Sequence, residues 1–381
     1  ERERRRQRKA ERQAAAAARA EAHRADVARR RATDIIFAGR GVSAGLADRR
    51  CHVEQLTAAG LPVLATPADL AGALGLTVPR LRWLSFHAEA PEKTHYRYFT
   101  IAKRSGGVRK LAAPRRQLAT AQRWILDRVL AGLPLTDHAH GFVPGRSTVT
   151  NARPHVGRRL VINLDLADFF PSITFPRVRG LFASLGYSPA VATLLALLAT
   201  EAPRLEVGFE GRTHWVAAGD RALPQGACTS PALANLVARK LDRRLAGACR
   251  KLGWTYTRYA DDLTFSTDDA SSAQVALLFA RVRAIVKDEG FAINEAKGRV
   301  QRGGRQTVTG LVVNDRLGVP REQLRRVRAI LHQARATGLA AQGRGRHPDF
   351  EAWLRGTIAY IAMVDPTRGA ALRAELEALP P

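Results

Sequence analysis

The stretch Thr255-Tyr256-Thr257-Arg258-Tyr259-Ala260-Asp261-Asp262-Leu263-Thr264-Phe265-Ser266 reads as two short strands around a tight turn. Adjacent carboxylates, Asp261 and Asp262, sit at that turn between apolar flanks. Crowded like charges are costly unless something neutralises them. A lone Asp-Asp pair is usually an exposed turn. Here a further carboxylate, Asp165, stands 96 positions before Asp261 at the end of the apolar strand Val161-Ile162-Asn163-Leu164-Asp165. Divalent cations would neutralise such a set, and Mg²⁺ prefers hard oxygen ligands of this kind. Two ions roughly 4 Å apart can activate a hydroxyl and stabilise a leaving phosphate.

Working outward, the 381 residues suffice for two or three subdomains. With 46% hydrophobic and 25% charged residues, the chain has the balance of a folded protein. Its formal net charge of +27 points to polyanionic partners, nucleic acid first, against the alternative of a solubilising bias. Cys51, Cys228 and Cys249 show neither metal-ligand spacing nor a disulfide framework, so a reducing, cytoplasmic location is expected. No apolar run approaches a membrane span, and Val191 to Ala199 reads as a buried helix segment. The first residue is Glu1, which suggests a trimmed amino terminus, and no secretory signal is visible.

Residues 1–31 are almost all Arg, Ala, Glu and Gln, helical or disordered, without an apolar stripe. This basic arm either contacts phosphates or is a solvated tail. Helices are expected to start near Thr66-Pro67 and Thr77-Val78-Pro79. Tyr96 to Ile101 and Val108 to Ala112 read as a hairpin around Ser105-Gly106-Gly107. Helical spacing covers Arg116 to Leu130, and Arg159 to Leu166 is a strand. A helix should start at Thr229-Ser230-Pro231 and run to about Leu252, stopped by Gly253. Another covers Ser272 to Glu289, and an arginine-rich helical pattern follows Pro320.

Tyr259-Ala260-Asp261-Asp262 resembles the palm signature of reverse transcriptases. Leu164-Asp165-Leu166-Ala167-Asp168-Phe169-Phe170-Pro171-Ser172-Ile173 resembles the family's preceding palm motif, and Leu223-Pro224-Gln225-Gly226-Ala227-Cys228-Thr229-Ser230-Pro231 the one between them. The resemblance spans roughly Arg97 to Asp315. It implies an α+β, right-hand polymerase fold with fingers, a palm built as an antiparallel sheet backed by helices, and a small helical thumb. It implies that Asp165, Asp261 and Asp262 hold two Mg²⁺ ions. Phe170 takes the position of the steric gate against a ribose 2′-hydroxyl, the alternative being that Phe169 and Phe170 are both core. Gln225 would contact the incoming deoxynucleoside triphosphate. Lys103 and Arg109 lie on the hairpin that covers the triphosphate in this family. Asn294-Glu295-Ala296-Lys297 resembles the next palm motif and makes Lys297 a candidate acid for the leaving pyrophosphate. For Lys103 and Lys297 a solvated surface lysine is the alternative. Asp168 lies past the strand end and reads as a capping residue.

Asn151-Ala152-Arg153-Pro154-His155 resembles the Asn-Ala-x-x-His motif of retron reverse transcriptases, and Val308-Thr309-Gly310 their Val-Thr-Gly triplet. In the bacterial retron type these residues would recognise or position RNA, with a turn cap at Asn151 and a packing role for His155 as alternatives. The resemblance implies a cognate structured noncoding RNA as partner, DNA started at a guanosine 2′-hydroxyl of that RNA, a branched RNA-linked DNA product, and a role in anti-phage defence beside an effector protein. Arg321, Arg325, Arg326 and Arg328 would follow an RNA backbone from the thumb, or form a solvated helix face. The expected division is 1–31 arm, 32–315 amino-terminal helices with fingers and palm, and 316–381 thumb. Rival readings are a group II intron-type enzyme, for which the segment after the palm looks short, a diversity-generating reverse transcriptase, and a catalytically inactive RNA-binding module.

Overall fold

In the computed structural model, which describes residues 2–102, 106–269, 271–343 and 349–379, the chain packs as two units, each assembled from two stretches of sequence. One comprises Glu1–Leu133 with Phe170–Val237, the other Pro134–Phe169 with Ala238–Pro381. Ten strands occur among the described residues: β1 (Tyr96–Ala102), β2 (Val108–Pro114), β3 (Leu160–Asp165), β4 (Arg204–Phe209), β5 (Arg212–Ala217), β6 (Thr255–Tyr259), β7 (Asp262–Thr267), β8 (Arg299–Arg302), β9 (Thr307–Val308) and β10 (Leu311–Val312).

The first unit is helical, with two antiparallel hairpins, β1-β2 and β4-β5. Its centre is the helix Pro189–Ala199, buried from Ala190 through Ala199 and capped by the Ser188 hydroxyl. Gly226 has φ +121°, and a Cβ there would meet the Ala112 carbonyl at 2.9 Å. Only glycine allows the Gln225 carbonyl to come up to β2, where it accepts from the Ala112 N–H at 2.8 Å. The segment before β1 forms the helices expected at Thr66 and Thr77, each capped by its threonine. Residues Arg2–Thr33 form one continuous helix.

The second unit is built on a four-stranded sheet in the order β6-β7-β3-β8. All its pairings are antiparallel. The helix Arg239–Lys251 packs on β6 through Leu241, Leu245, Ala246 and Cys249. The helices Arg321–Thr337, Phe350–Val364 and Pro366–Glu377 share one hydrophobic core with Val161 of β3. Segment 316–381 therefore packs onto the sheet's own unit.

Two elements differ from the sequence expectation. The single helix from Thr229 to Leu252 is two, Ser230–Val237 and Arg239–Lys251. They part at Ala238 (ψ −4°), where the chain passes from one unit to the other. The helix from Arg116 widens into a π turn over Leu126–Leu130. The helix Phe175–Ser184, the β4-β5 hairpin and the short strands β8 to β10 had not been anticipated.

Candidate active site

The register of β3 against β7 sets Asp165 directly opposite Asp262, a spacing at which side chains on neighbouring strands interact. Asp261 occupies the two-residue turn between β6 and β7, after Ala260 at φ +57°. A positive φ at the first turn position matches the twist of a hairpin. The end of β3 is tied to this turn, because the Leu166 N–H donates to the Asp261 carbonyl at 2.9 Å. Three carboxylates from two distant stretches of sequence thus meet at one end of the sheet.

Asp165 is buried, and both of its oxygens accept from Lys297 Nζ at 3.1 and 3.0 Å. Asn294 adds a backbone N–H to the Asp165 carbonyl at 2.7 Å and its side-chain amide to Oδ2 at 3.3 Å. The hydrogen bond with Asp165, joined by the field of the three carboxylates, raises Lys297 above the usual lysine range. Asp262 is pushed up to about 6 by burial of its carboxyl and then by the charges of Asp261 and Asp165, with Lys297 opposing. Among the described residues no three His, Cys, Asp or Glu side chains are gathered as a finished metal cage. The donor chemistry nevertheless suits a hard cation: three carboxylates that repel one another, one of them held by an ammonium group.

Behind the turn lies a buried ion pair that the sequence reading passed over. Arg258, in β6, is fully buried with Asp242 of the helix Arg239–Lys251. Its Nε and Nη2 donate to the two Asp242 oxygens, both at 2.7 Å, and its Nη1 donates to the Ala260 carbonyl at 3.0 Å. The Tyr256 and Thr136 hydroxyls complete Asp242 at 2.9 and 3.0 Å. The guanidinium thus holds the backbone of the Asp-Asp turn from inside. Gly141 closes the other side, since a Cβ there would meet the Ala260 nitrogen at 2.6 Å. One signal was available: Asp242 falls on the apolar face of its helix, three and seven residues before Leu245 and Cys249.

Of the two readings of Asn151, His155 and Val308, a role toward RNA or a packing role, their burial supports packing in the folded chain. All three are fully buried, which leaves no surface for a base. His155 bridges the two strands of the β6-β7 hairpin, with Nε2 2.8 Å from Thr257 Oγ1 of β6 and Nδ1 2.6 Å from Ser266 Oγ of β7. The Thr257 hydroxyl gives its proton to the Asn151 carbonyl at 3.3 Å, so the network assigns the ring proton to Nε2. Val308 ends β9 of the tight β9-β10 hairpin, whose two turn residues, Thr309 and Gly310, both have positive φ, as a type I′ turn requires. Thr309 donates to the Thr148 carbonyl at 3.4 Å, and Val149, Ala152, Val308 and Leu311 share the core beneath the helix Arg321–Thr337. The two short motifs therefore meet each other. Arg321, Arg325 and Arg328 stand exposed on one face of that helix, while Arg326 lies over Trp353 at 4.9 Å.

Arg109, Phe170 and Gln225 belong to the first unit. Arg109 is exposed on β2, and Gln225 is held half-buried beside the same strand. The two phenylalanines separate: Phe169 is core, packed 5.7 Å from Phe291, whereas Phe170 is half-buried. Lys103 lies outside the described residues. Among the described residues no helix is long and apolar enough to cross a membrane.

Burial, reinforced by His140 and Arg158, lowers His155 to about 3, and burial lowers His140 to about 4. Both rings are neutral in the folded chain and take up protons on unfolding below about 6.5. Stability from these groups is complete above pH 6.5 and is lost as pH falls toward 4. The slope is about 1.4 kcal/mol per pH unit for each histidine. Urea unfolding at pH 7 and pH 5 should show this loss, reduced in His155→Gln; equal losses in both proteins would mean that His155 is not held neutral.

Residues 101–314 match the family model of reverse transcriptases, the RNA-dependent DNA polymerases. The chain is 50% identical over 324 residues to the retron Mx65 reverse transcriptase of Myxococcus xanthus, covering 84% of this chain and 73% of that one. It is 46% identical to the retron Mx162 reverse transcriptase of the same organism (86% and 69%). Identity to the retron Ec86 reverse transcriptase of Escherichia coli is 33% (80% and 87%).

Proposed function

This chain belongs to the bacterial retron-type reverse transcriptases, which are RNA-directed DNA polymerases, and from that footing we propose that it binds its own structured noncoding RNA and starts DNA on a 2′-hydroxyl of it. The product is a short single-stranded DNA branched from the RNA, made in a host cytoplasm as part of anti-phage defence beside an effector protein. The observation that carries the chemistry is the β3-β7 register, which brings Asp165 opposite Asp262 with Asp261 at the adjoining turn.

Asp165, Asp261 and Asp262 would hold two Mg²⁺ ions, which would supply activation of the attacking hydroxyl and neutralisation of the departing pyrophosphate. Lys297 balances the charge of Asp165 before substrate arrives and is the proton donor to the leaving group. Phe170, the less buried of the paired phenylalanines, is the gate that favours deoxynucleotides. Gln225, Arg109 and Lys103 serve the incoming triphosphate, and Gly226 keeps Gln225 against β2. Asn151, His155 and the Val308-Thr309-Gly310 turn act from within: they set the catalytic hairpin and seat the helix that offers Arg321, Arg325 and Arg328 to RNA.

The test is to purify the protein from cells that express it with its native flanking RNA, and to sequence the copurified nucleic acid. A short DNA joined to an internal guanosine, released as free DNA by a 2′,5′-debranching enzyme, is the expected result. DNA of unbranched structure, extended from an ordinary 3′ end, would overturn 2′-priming while leaving the polymerase assignment in place.

A further inference from the structure

The helix Arg2–Thr33 is exposed along almost its whole length, so nothing in its own unit explains its charges by burial. At 100° per residue, Arg5, Arg8, Lys9, Arg12 and Arg19 fall within about 100° of arc, and Glu3 and Glu21 fall on the opposite side. Most cations of this helix have an acid three or four residues away, Arg5 (Glu1) and Arg8 (Glu11) of this face among them. Arg29 and Arg30 both hold Asp26 at 2.7 Å, while Arg6 and Arg24 each follow a glutamate by three positions. Arg12 and Arg19 have no acid three or four residues away on either side. Arg5, Arg8, Lys9 and Arg12 instead stand three or four residues from one another, where like charges destabilise a helix. Among the described residues none of the five on this face is in an ion pair. Lys9, Arg12 and Arg19 have neither an ion pair nor an acid at helical spacing, on a cationic face about 21 Å long from Arg5 to Arg19.

We propose that this face is a docking surface for the phosphate backbone of duplex RNA, a contact additional to the polymerase site. A regular duplex offers phosphates at short, even intervals along a straight edge, which a rigid basic row can follow and a compact acidic protein patch cannot. Phosphates also relieve the repulsion between Arg5, Arg8, Lys9 and Arg12, so binding and helix formation reinforce each other. The proposal rests on the chain acting on RNA, as read above, but places the contact far in sequence from every catalytic carboxylate.

Two variants of equal charge separate the outcomes. Lys9→Ala/Arg12→Ala/Arg19→Ala removes the three face cations without an acidic neighbour; Arg6→Ala/Arg24→Ala/Arg29→Ala removes three cations that have one. Alanine favours helix, so circular dichroism should be unchanged in both. The probe is a 20-base-pair RNA duplex of mixed sequence, titrated at several salt concentrations. The first variant should bind roughly tenfold more weakly at low salt, with a log–log salt slope shallower by about 2 to 3; the second should stay within twofold of wild type. Equal weakening by both variants overturns the face and leaves only diffuse charge, and no weakening by either overturns the contact. Extension of an annealed primer at saturating template should be unaffected in both variants. Failure of extension in the wild-type chain would strike the polymerase reading, not the docking face.

Discussion

Asp261→Asn and Asp262→Asn should each lower DNA synthesis on an annealed primer–template by at least a hundredfold, about 2.7 kcal/mol of lost transition-state stabilisation. An amide keeps the shape of the carboxylate but not the anionic oxygens that hold divalent cations. The fold should not suffer. Asp262 is pushed up to about 6 by burial and then by the charges of Asp261 and Asp165, so removing one of these charges relieves repulsion. Thermal midpoints should therefore hold or rise slightly, and RNA affinity should stay near wild type. Polymerisation above a hundredth of the wild-type rate in Asp261→Asn would remove that residue from the metal set. A collapse in stability would show that the carboxylates do structural work instead.

The second large effect lies behind the turn. Arg258→Ala leaves Asp242 charged, buried and without its main partner, a change that costs about 3 to 5 kcal/mol. Asp242→Ala strands Arg258 in the same way. Replacing both, as Arg258→Met/Asp242→Leu, removes the unpaired charge and should recover most of the stability seen by urea unfolding. Activity should not return with it, because the Ala260 carbonyl then has no donor at 3.0 Å and the Asp-Asp turn loses its support. Primer extension by the double variant is expected to remain at least tenfold down, with a higher Mg²⁺ concentration at half-maximal rate. A stable double variant with wild-type rate and Mg²⁺ dependence would reduce the pair to packing. A single variant that loses less than about 1 kcal/mol would mean that the charges are not buried as a pair.

Much of this could be read along the chain, since local patterns report local structure. The apolar run to Asp165, the strand–turn–strand around Asp261 and Asp262, the capped starts at Thr66 and Thr77, and the buried helix after Ser188 all depend on neighbours within a few residues. Motif order pointed to the family, which the relatives bear out. The resemblance put the gate at Phe170, but the deeper burial of Phe169 could not be read, because identical neighbours in sequence differ only in what packs against them. For Asn151 and His155 the sequence left RNA recognition and a capping or packing role both open, because polar side chains in a motif suit either. Burial is a property of the folded chain, and two hydroxyls from β6 and β7 satisfy the imidazole where water cannot.

By itself, then, the sequence determined that this is an α+β polymerase with three carboxylates in the palm pattern and a strong positive charge for nucleic acid. Tertiary structure alone decided which residues serve those carboxylates. The partnership of Arg258 with Asp242, 16 positions apart, exists because a helix packs its polar exception onto a strand. The meeting of Asn151 and its neighbours with Val308-Thr309-Gly310 spans more than 150 positions and exists because both join one core. Desolvation makes such pairings strong and specific, and desolvation depends on where distant segments come to rest.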